Sequence, residues 1–280
     1  MSFALLITQR LALPVLLVLS AFAAGAGAAG AWAVTRGERL VKFEQLVVGI
    51  EPSAMPLTSD TRTYTDQGFE AKFAHDLAQA LGARLVLRPI ADSDIDAALQ
   101  RAELDLALRR RPAADAATST AEVQHLRIGH LIEPSVALRS DTPVRRWSDL
   151  RGRRVCVSKA FTQAAVIAKQ AGAQLTVVDA PAQALANLRT GACDAAFGEE
   201  AQLRELFKHK EWQKFSATLP PAASEALVLA VPRARADVVA AARRAVAQVG
   251  DAQQWDRRHR QWVASVAFEV YLDQIGPDCH

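Results

Sequence analysis

From residue 45 onward, short apolar runs alternate with segments of helical periodicity. Leu46-Val47-Val48-Gly49-Ile50 is a compact apolar run and predicts a buried strand. Phe69, Phe73, Leu77 and Leu81 recur at helical spacing, so Gly68 to Leu81 predicts a helix with one apolar stripe. Gly82 follows where a C-terminal cap belongs. Arg84 to Ile90 alternates as a strand. Ser93 with Asp96 forms a capping-box pattern ahead of a helix running through Leu99, and Leu104 to Leu108 reads as the next strand. Strand, helix, strand in repetition predicts a parallel sheet covered by helices.

A second unit of the same kind starts near Trp147. Arg154 to Ser158 predicts a strand, Gln163 to Ala171 a helix closed by Gly172, and Leu175 to Val178 another strand. Pro181 opens a helix carrying Leu185 and Leu188, which Gly191 ends. Cys193 to Phe197 and Leu227 to Val231 are further strands. Helices over about 235–249 and 251–263 close the pattern, with Trp255, Trp262 and Val263 turned toward the body. Segments near 131–139 and 224–231 sit where the chain would cross between two lobes. The resulting division is lobe 1 from 45–133 plus 228–263, lobe 2 from 134–227, and a tail over 264–280.

The first 35 residues follow neither pattern. They carry one charge, Arg10, and the 25 residues Leu11 to Thr35 are uncharged. The run LALPVLLVLSAFAA has the character of a secretory h-region, and small-x-small triplets such as Ala24-Gly25-Ala26 and Ala29-Gly30-Ala31 follow it. The same stretch is long enough to span a bilayer uncut. Signal peptide and N-terminal anchor both fit, and either one exports the body. Gly25 to Gly30 matches G-x-G-x-x-G literally, but a dinucleotide site needs a strand before it, an amphipathic helix after it and an acid about twenty residues on, and this match lies in an Ala/Gly-rich leader.

Composition narrows the chemistry. The 280 residues are 50% hydrophobic and 22% charged, which excludes disorder and coiled coil, and a net charge of +3 does not mark a nucleic-acid binder. Neither H-E-x-x-H, C-x-x-C nor G-x-S-x-G occurs, and the six His lack ligand spacing, so no metal, cofactor or catalytic group is expected. Three cysteines, Cys156, Cys193 and Cys279, leave connectivity open, including three free thiols.

Several local sequences, in order, resemble the family 3 bacterial solute-binding proteins, the periplasmic receptors of amino-acid ABC transporters. They are Leu46 to Ile50 with Pro56, Gly68-Phe69-Glu70 through Leu81-Gly82, Ala98-Leu99-Gln100 with Leu104 to Ala107, Trp147 to Val155, and Ala184 to Ala195. The resemblance implies a periplasmic-binding-protein-like fold type II, with two parallel-sheet lobes joined by two crossover segments. It also implies capture of a small polar ligand, delivery to an inner-membrane ABC permease, and a monomer that touches the membrane only through an uncleaved leader. Val155-Cys156-Val157 and Ala192-Cys193-Asp194 are similar to the general amino-acid subgroup, which implies a Cys156–Cys193 disulfide.

Such receptors hold an amino acid by an Arg on its carboxylate and an acid on its ammonium, a planar bidentate donor suiting the carboxylate. The family's segment around that Arg is replaced here by Arg109-Arg110-Arg111, so Arg109 or Arg111 is the candidate, the alternative being a solvated turn. The resemblance further nominates Glu51 and Met55 in the opening loop, Phe69 in the helix motif, Phe161 and Thr162 in the lobe-2 loop, and Glu199 toward an ammonium. Two other readings share the fold: a tethered sensor or accessory protein, and a dehydratase-like enzyme using Glu51 or Glu199.

Overall fold

The structure, a computed structural model, describes residues 42–56 and 63–274. The segment read as a signal peptide or anchor, the residues after Pro56 in the opening loop, Cys279 and the last six residues of the tail lie outside it. Strands β1 (Gln45–Ile50), β2 (Arg84–Pro89), β3 (Leu106–Pro112) and β4 (Val123–Ile132) precede β5 (Pro134–Leu138), β6 (Arg154–Ser158) and β7 (Gln174–Val178). β8 (Ala195–Glu199), β9 (Ala217–Thr218) and β10 (Glu225–Pro232) complete the set. The helices are α1 (Glu70–Ala80), α2 (Ile95–Gln100), α3 (Ala164–Ala171), α4 (Pro181–Thr190), α5 (Glu200–Leu206), α6 (Ala236–Val249) and α7 (Ala252–Gln274).

Two five-stranded sheets result, in the orders β2-β1-β3-β10-β4 and β7-β6-β8-β5-β9. The chain leaves the first sheet after Ile132 and re-enters it at Glu225. Both sheets are mixed, which corrects the expectation of parallel ones. β10 runs antiparallel between β3 and β4, and β5 runs antiparallel to β8. These strands enter from the other lobe rather than from a helical crossover, so nothing obliges them to run parallel.

Local capping explains where several helices stop. Gly82, Gly172 and Gly191 have φ of 65°, 71° and 80°, left-handed values that glycine adopts without steric cost. The capping box expected at Ser93 does not form. A 3-10 turn covers Asp92–Asp94, and the Ser93 hydroxyl donates to the neighbouring Asp94 carboxylate. β3 runs on through the arginine run, because Arg109 to Pro112 pair in register with Val228 to Glu225.

Helices cover both faces of each sheet. In the first lobe, α2 packs on one face around Ile95, Leu99 and Leu104. The other face meets α1 and α6. In the second, Val155, Val157 and Phe161 gather with Ile167 of α3 on one side, while α4 and α5 lie on the other. α7 continues to Gln274, through residues expected as a tail, with Trp262, Val263, Val266 and Val270 buried. It touches β4 at one end and packs on α4 and α5 of the second lobe. One apolar cluster therefore runs from Phe73 and Trp255 through α7 to Leu185, Leu206 and Trp212, joining the lobes on that side. No helix among the described residues is long and apolar enough to cross a membrane.

The disulfide implied by the resemblance is present. Cys156 and Cys193 are joined at an S–S distance of 2.02 Å, both are buried, and they close a separation of 37 residues that contains α3, β7 and α4. Loop-closure entropy puts its contribution at about 3–4 kcal/mol. The double variant Cys156→Ala, Cys193→Ala is expected to lose that much in urea unfolding. A loss under about 1 kcal/mol would mean that β6 and β8 hold the loop closed unaided.

Candidate functional site

A cavity of about 200 Å³ opens where the first lobe, the second lobe and the returning strand β10 meet. Glu51 enters it from just beyond β1, Ile90 from just beyond β2, and Leu108, Arg109 and Arg110 from the second half of β3. Glu70 comes from the first turn of α1 and Asp92 from the turn before α2. Thr162 and Gln163 come from the loop entering α3, and Glu225 and Leu227 from β10. This is the crevice at the carboxyl ends of parallel strands, facing helix N-termini, where open α/β sheets take ligands.

The arginines are already engaged. Arg109 Nη2 and Nε donate to the two oxygens of Asp92 at 2.8 and 2.9 Å, and its Nη1 donates to Asp96 at 2.7 Å. Burial disfavours the Arg109 charge, yet the two aspartates outweigh it and raise the pKa. Arg110 donates through Nε and Nη2 to Glu70 Oε1 at 2.8 and 2.6 Å. Burial alone would raise the Glu70 pKa, but the charge and hydrogen bonds of Arg110 overcome it and hold the carboxyl below its ordinary value. Glu225 accepts from the Gln163 amide. Burial raises the Glu225 pKa, Arg110 pulls it down, Glu51 pushes it up again, and the net direction is upward.

Of the residues nominated from sequence, Glu51, Arg109 and Thr162 come together at the cavity. The others sit elsewhere. Arg111 points its Nε to the Asp115 carbonyl at 3.4 Å. Met55 is half-buried against the first-lobe core. Phe161 is buried in the second lobe with its ring centroid 5.7 Å from that of Phe197. Phe69 packs edge-on to His130, Trp255 and His259 at 5.2, 5.9 and 5.1 Å. Glu199 ends β8 fully enclosed, with Oε2 3.3 Å from His130 Nε2 across the lobe junction. The sequence reading missed Glu70, Asp92, Arg110, Gln163 and Glu225. Alternation along a strand offered a signal for Arg110, since it shares a face with Leu108. Glu70 stood inside a quoted motif but was given no part in the site.

Behind the cavity, His130, His259, Phe69 and Trp255 form a buried aromatic group. Burial lowers the His259 pKa to about 4, and the neighbouring His130 adds to the shift. An unfolded His titrates near 6.5. Between these values the unfolded chain binds a proton that the folded chain does not, so stability falls as pH drops from about 6.5 toward 4. His259→Gln is expected to flatten that part of the curve in urea unfolding at pH 7, 6 and 5. An unchanged slope would place the protonation elsewhere.

The two mixed sheets, the double crossing and the interlobe cavity define the type II periplasmic-binding-protein fold. The chain is similar to a Haemophilus influenzae protein named "probable amino-acid ABC transporter-binding protein", with 26% identity over 173 residues. That alignment covers 61% of this chain and 66% of the relative, just short of two thirds of its length. Among solved structures, an ancestral cationic amino acid solute-binding protein matches with TM-score 0.55 and 16% identity, covering 79% of this chain and 96% of that one. A mutant of ArgBP from T. maritima matches at 0.50 with 17% identity, covering 79% and 96%. A substrate-binding protein of an amino acid ABC transporter from Streptococcus pneumoniae, bound to L-arginine, also matches at 0.50 with 16% identity, covering 80% and 96%. No family model matches the chain. The fold is the one these solved structures share.

Proposed function

We propose that this protein is a solute receptor. It takes a small polar compound, an amino acid or a relative of one, between its lobes in the periplasm and presents the closed form to an inner-membrane ABC permease. The observation that carries this reading is the cavity lined jointly by the first lobe, the α3 entry loop of the second, and β10 between them. Closure can then bury the solute with contacts that neither lobe makes alone. Binding is the whole task, so no bond need break and no cofactor is called for. The named relatives, an amino-acid transporter-binding protein and amino-acid binding proteins, point the same way.

The test is thermal unfolding of the purified protein against amino acids, opines, small carboxylates and polyamines. A true ligand at about one hundred times its dissociation constant adds about 2.7 kcal/mol, a clear upward shift. Arg111→Ala should leave that shift intact, because its side chain lies off the cavity, whereas Glu51→Ala, on the lining, should reduce it. No shift with any member of the panel would sink the receptor reading and favour an accessory protein with a closed or altered cleft. Turnover of prephenate or arogenate would favour the dehydratase-like enzyme.

A further inference from the structure

Every guanidinium at the cavity is spent on the chain's own acids. Arg109 is shared between Asp92 and Asp96, and Arg110 is held by Glu70. The α1 N-terminus, a natural place for a ligand's carboxylate, is likewise taken up by Glu70 in the first helical turn. An anion reaching for either arginine would have to displace one of these carboxylates, and Glu70 is almost fully buried.

Negative charge, by contrast, is left over. The lining carries four acids, Glu51, Glu70, Asp92 and Glu225, against the two arginines, a formal surplus of two negative charges. Among the described residues no hydrogen bond or ion pair holds the Glu51 carboxylate, and Glu225 is hydrogen-bonded only by the neutral amide of Gln163, while the Arg110 charge, held by Glu70, acts on both without contact. Glu51 and Glu225 repel each other across the space, a conflict that a cation between them would relieve. The second polar atom of Gln163, Oε1, is buried and unpartnered, an acceptor awaiting an N–H donor. The volume, about 200 Å³, lies below the usual range for drug-sized ligands and suits a compact solute.

We infer that the cleft takes a small organic cation, an amine or guanidine, held by Glu51, Glu225 and the Gln163 carbonyl, and that it does not read an α-carboxylate. This rests on the receptor reading above and names its ligand class. The backbone of an amino acid is then dispensable, and the cationic head carries the recognition.

Agmatine tests this directly, being arginine without its carboxylate. Calorimetric titration would compare agmatine, 1,4-diaminobutane, arginine, glutamine and glutamate on the purified protein. Agmatine should bind at least as tightly as arginine, and glutamate should not bind. Glu51→Gln and Glu225→Gln, which preserve shape, should each weaken agmatine by about tenfold or more, in line with loss of a charge-assisted hydrogen bond. Unchanged urea midpoints would show that both variants remain folded. Arginine binding more than about tenfold tighter than agmatine would overturn the inference while leaving the receptor intact, as would binding of glutamine or glutamate alone. Binding of nothing in the receptor panel would overturn both.

Discussion

Trp255→Ala is expected to lower the unfolding free energy by about 3–5 kcal/mol, the range for emptying a buried aromatic site. Trp255 is buried and, besides Phe69, meets four further partners. Its ring stacks on Phe73 at 5.4 Å and 6°, and on His130 at 4.6 Å and 16°. The Arg258 guanidinium sits 4.5 Å above the ring. The indole Nε1 donates to the Ile128 carbonyl at 2.6 Å. That carbonyl lies where the β4–β10 register shifts, beside Gly129 at φ 82°, so the irregularity supplies an acceptor that the ladder does not use. A Cβ on Gly129 would come within 2.8 Å of the Gly250 carbonyl and 3.2 Å of the indole nitrogen, which shows how closely the ring is seated. Trp255→Phe keeps the stacking and loses only the donor, so about 1–2 kcal/mol is expected for it. Urea unfolding of both variants provides the check. A Trp255→Ala loss under about 1.5 kcal/mol would mean the cluster collapses to fill the space.

Removal of Glu70 has an effect of similar size and a different cause. Glu70→Ala takes away the one carboxylate hydrogen-bonded to the buried Arg110 guanidinium, leaving it only the more distant charges of Glu199 and Glu51, and breaking one side of such a pair costs about 3–5 kcal/mol. Replacing both members by apolar residues, as in Glu70→Leu with Arg110→Met, should cost less than Glu70→Ala alone, because no charge then remains inside. The pH dependence separates this from a packing effect. The folded-state pKa of Glu70 is depressed below its ordinary 4.5. Its stabilisation is therefore fully present above that ordinary value and disappears as pH falls through the lower folded value. Glu70→Gln should remove that part of the acid slope. A Glu70→Gln curve parallel to the wild type down to acid pH would show that the pair contributes nothing through charge.

The order of elements was legible because it rests on local signals. Hydrophobic period separates the strands from α1 and α7, and glycine marks the ends of α1, α3 and α4. The disulfide was legible only through resemblance, since spacing alone does not pair three cysteines. Long-range facts stayed hidden. Nothing local tells β10 to enter between β3 and β4 antiparallel to both. The extension of α7 had a signal, Val263, Val266 and Val270 on one face, but only the partner helices α4 and α5 give that face something to bury against. The site was read in part for the same reason. Charge type nominated Arg109 and Glu51, and both line the cavity. Glu199 and Phe161 are equally plausible by type, yet one lies enclosed beside His130 and the other fills the second-lobe core. Arg110, hidden in a basic run, becomes a buried ion-pair partner because β3 extends past Leu108.

The placement of α7 also bears on when the molecule can finish folding. Both sheets need β10, or strands before it, and nothing later, so their hydrogen bonding can be complete while about fifty residues are still to come. Leu185, Leu206 and Trp212 nevertheless have their apolar neighbours on the last helix. A chain made from its N-terminus can therefore have both sheets assembled while an oily flank on each lobe stays wet. Arrival of α7 covers both flanks at once, which makes the docking of that helix the step that commits the two lobes to one body.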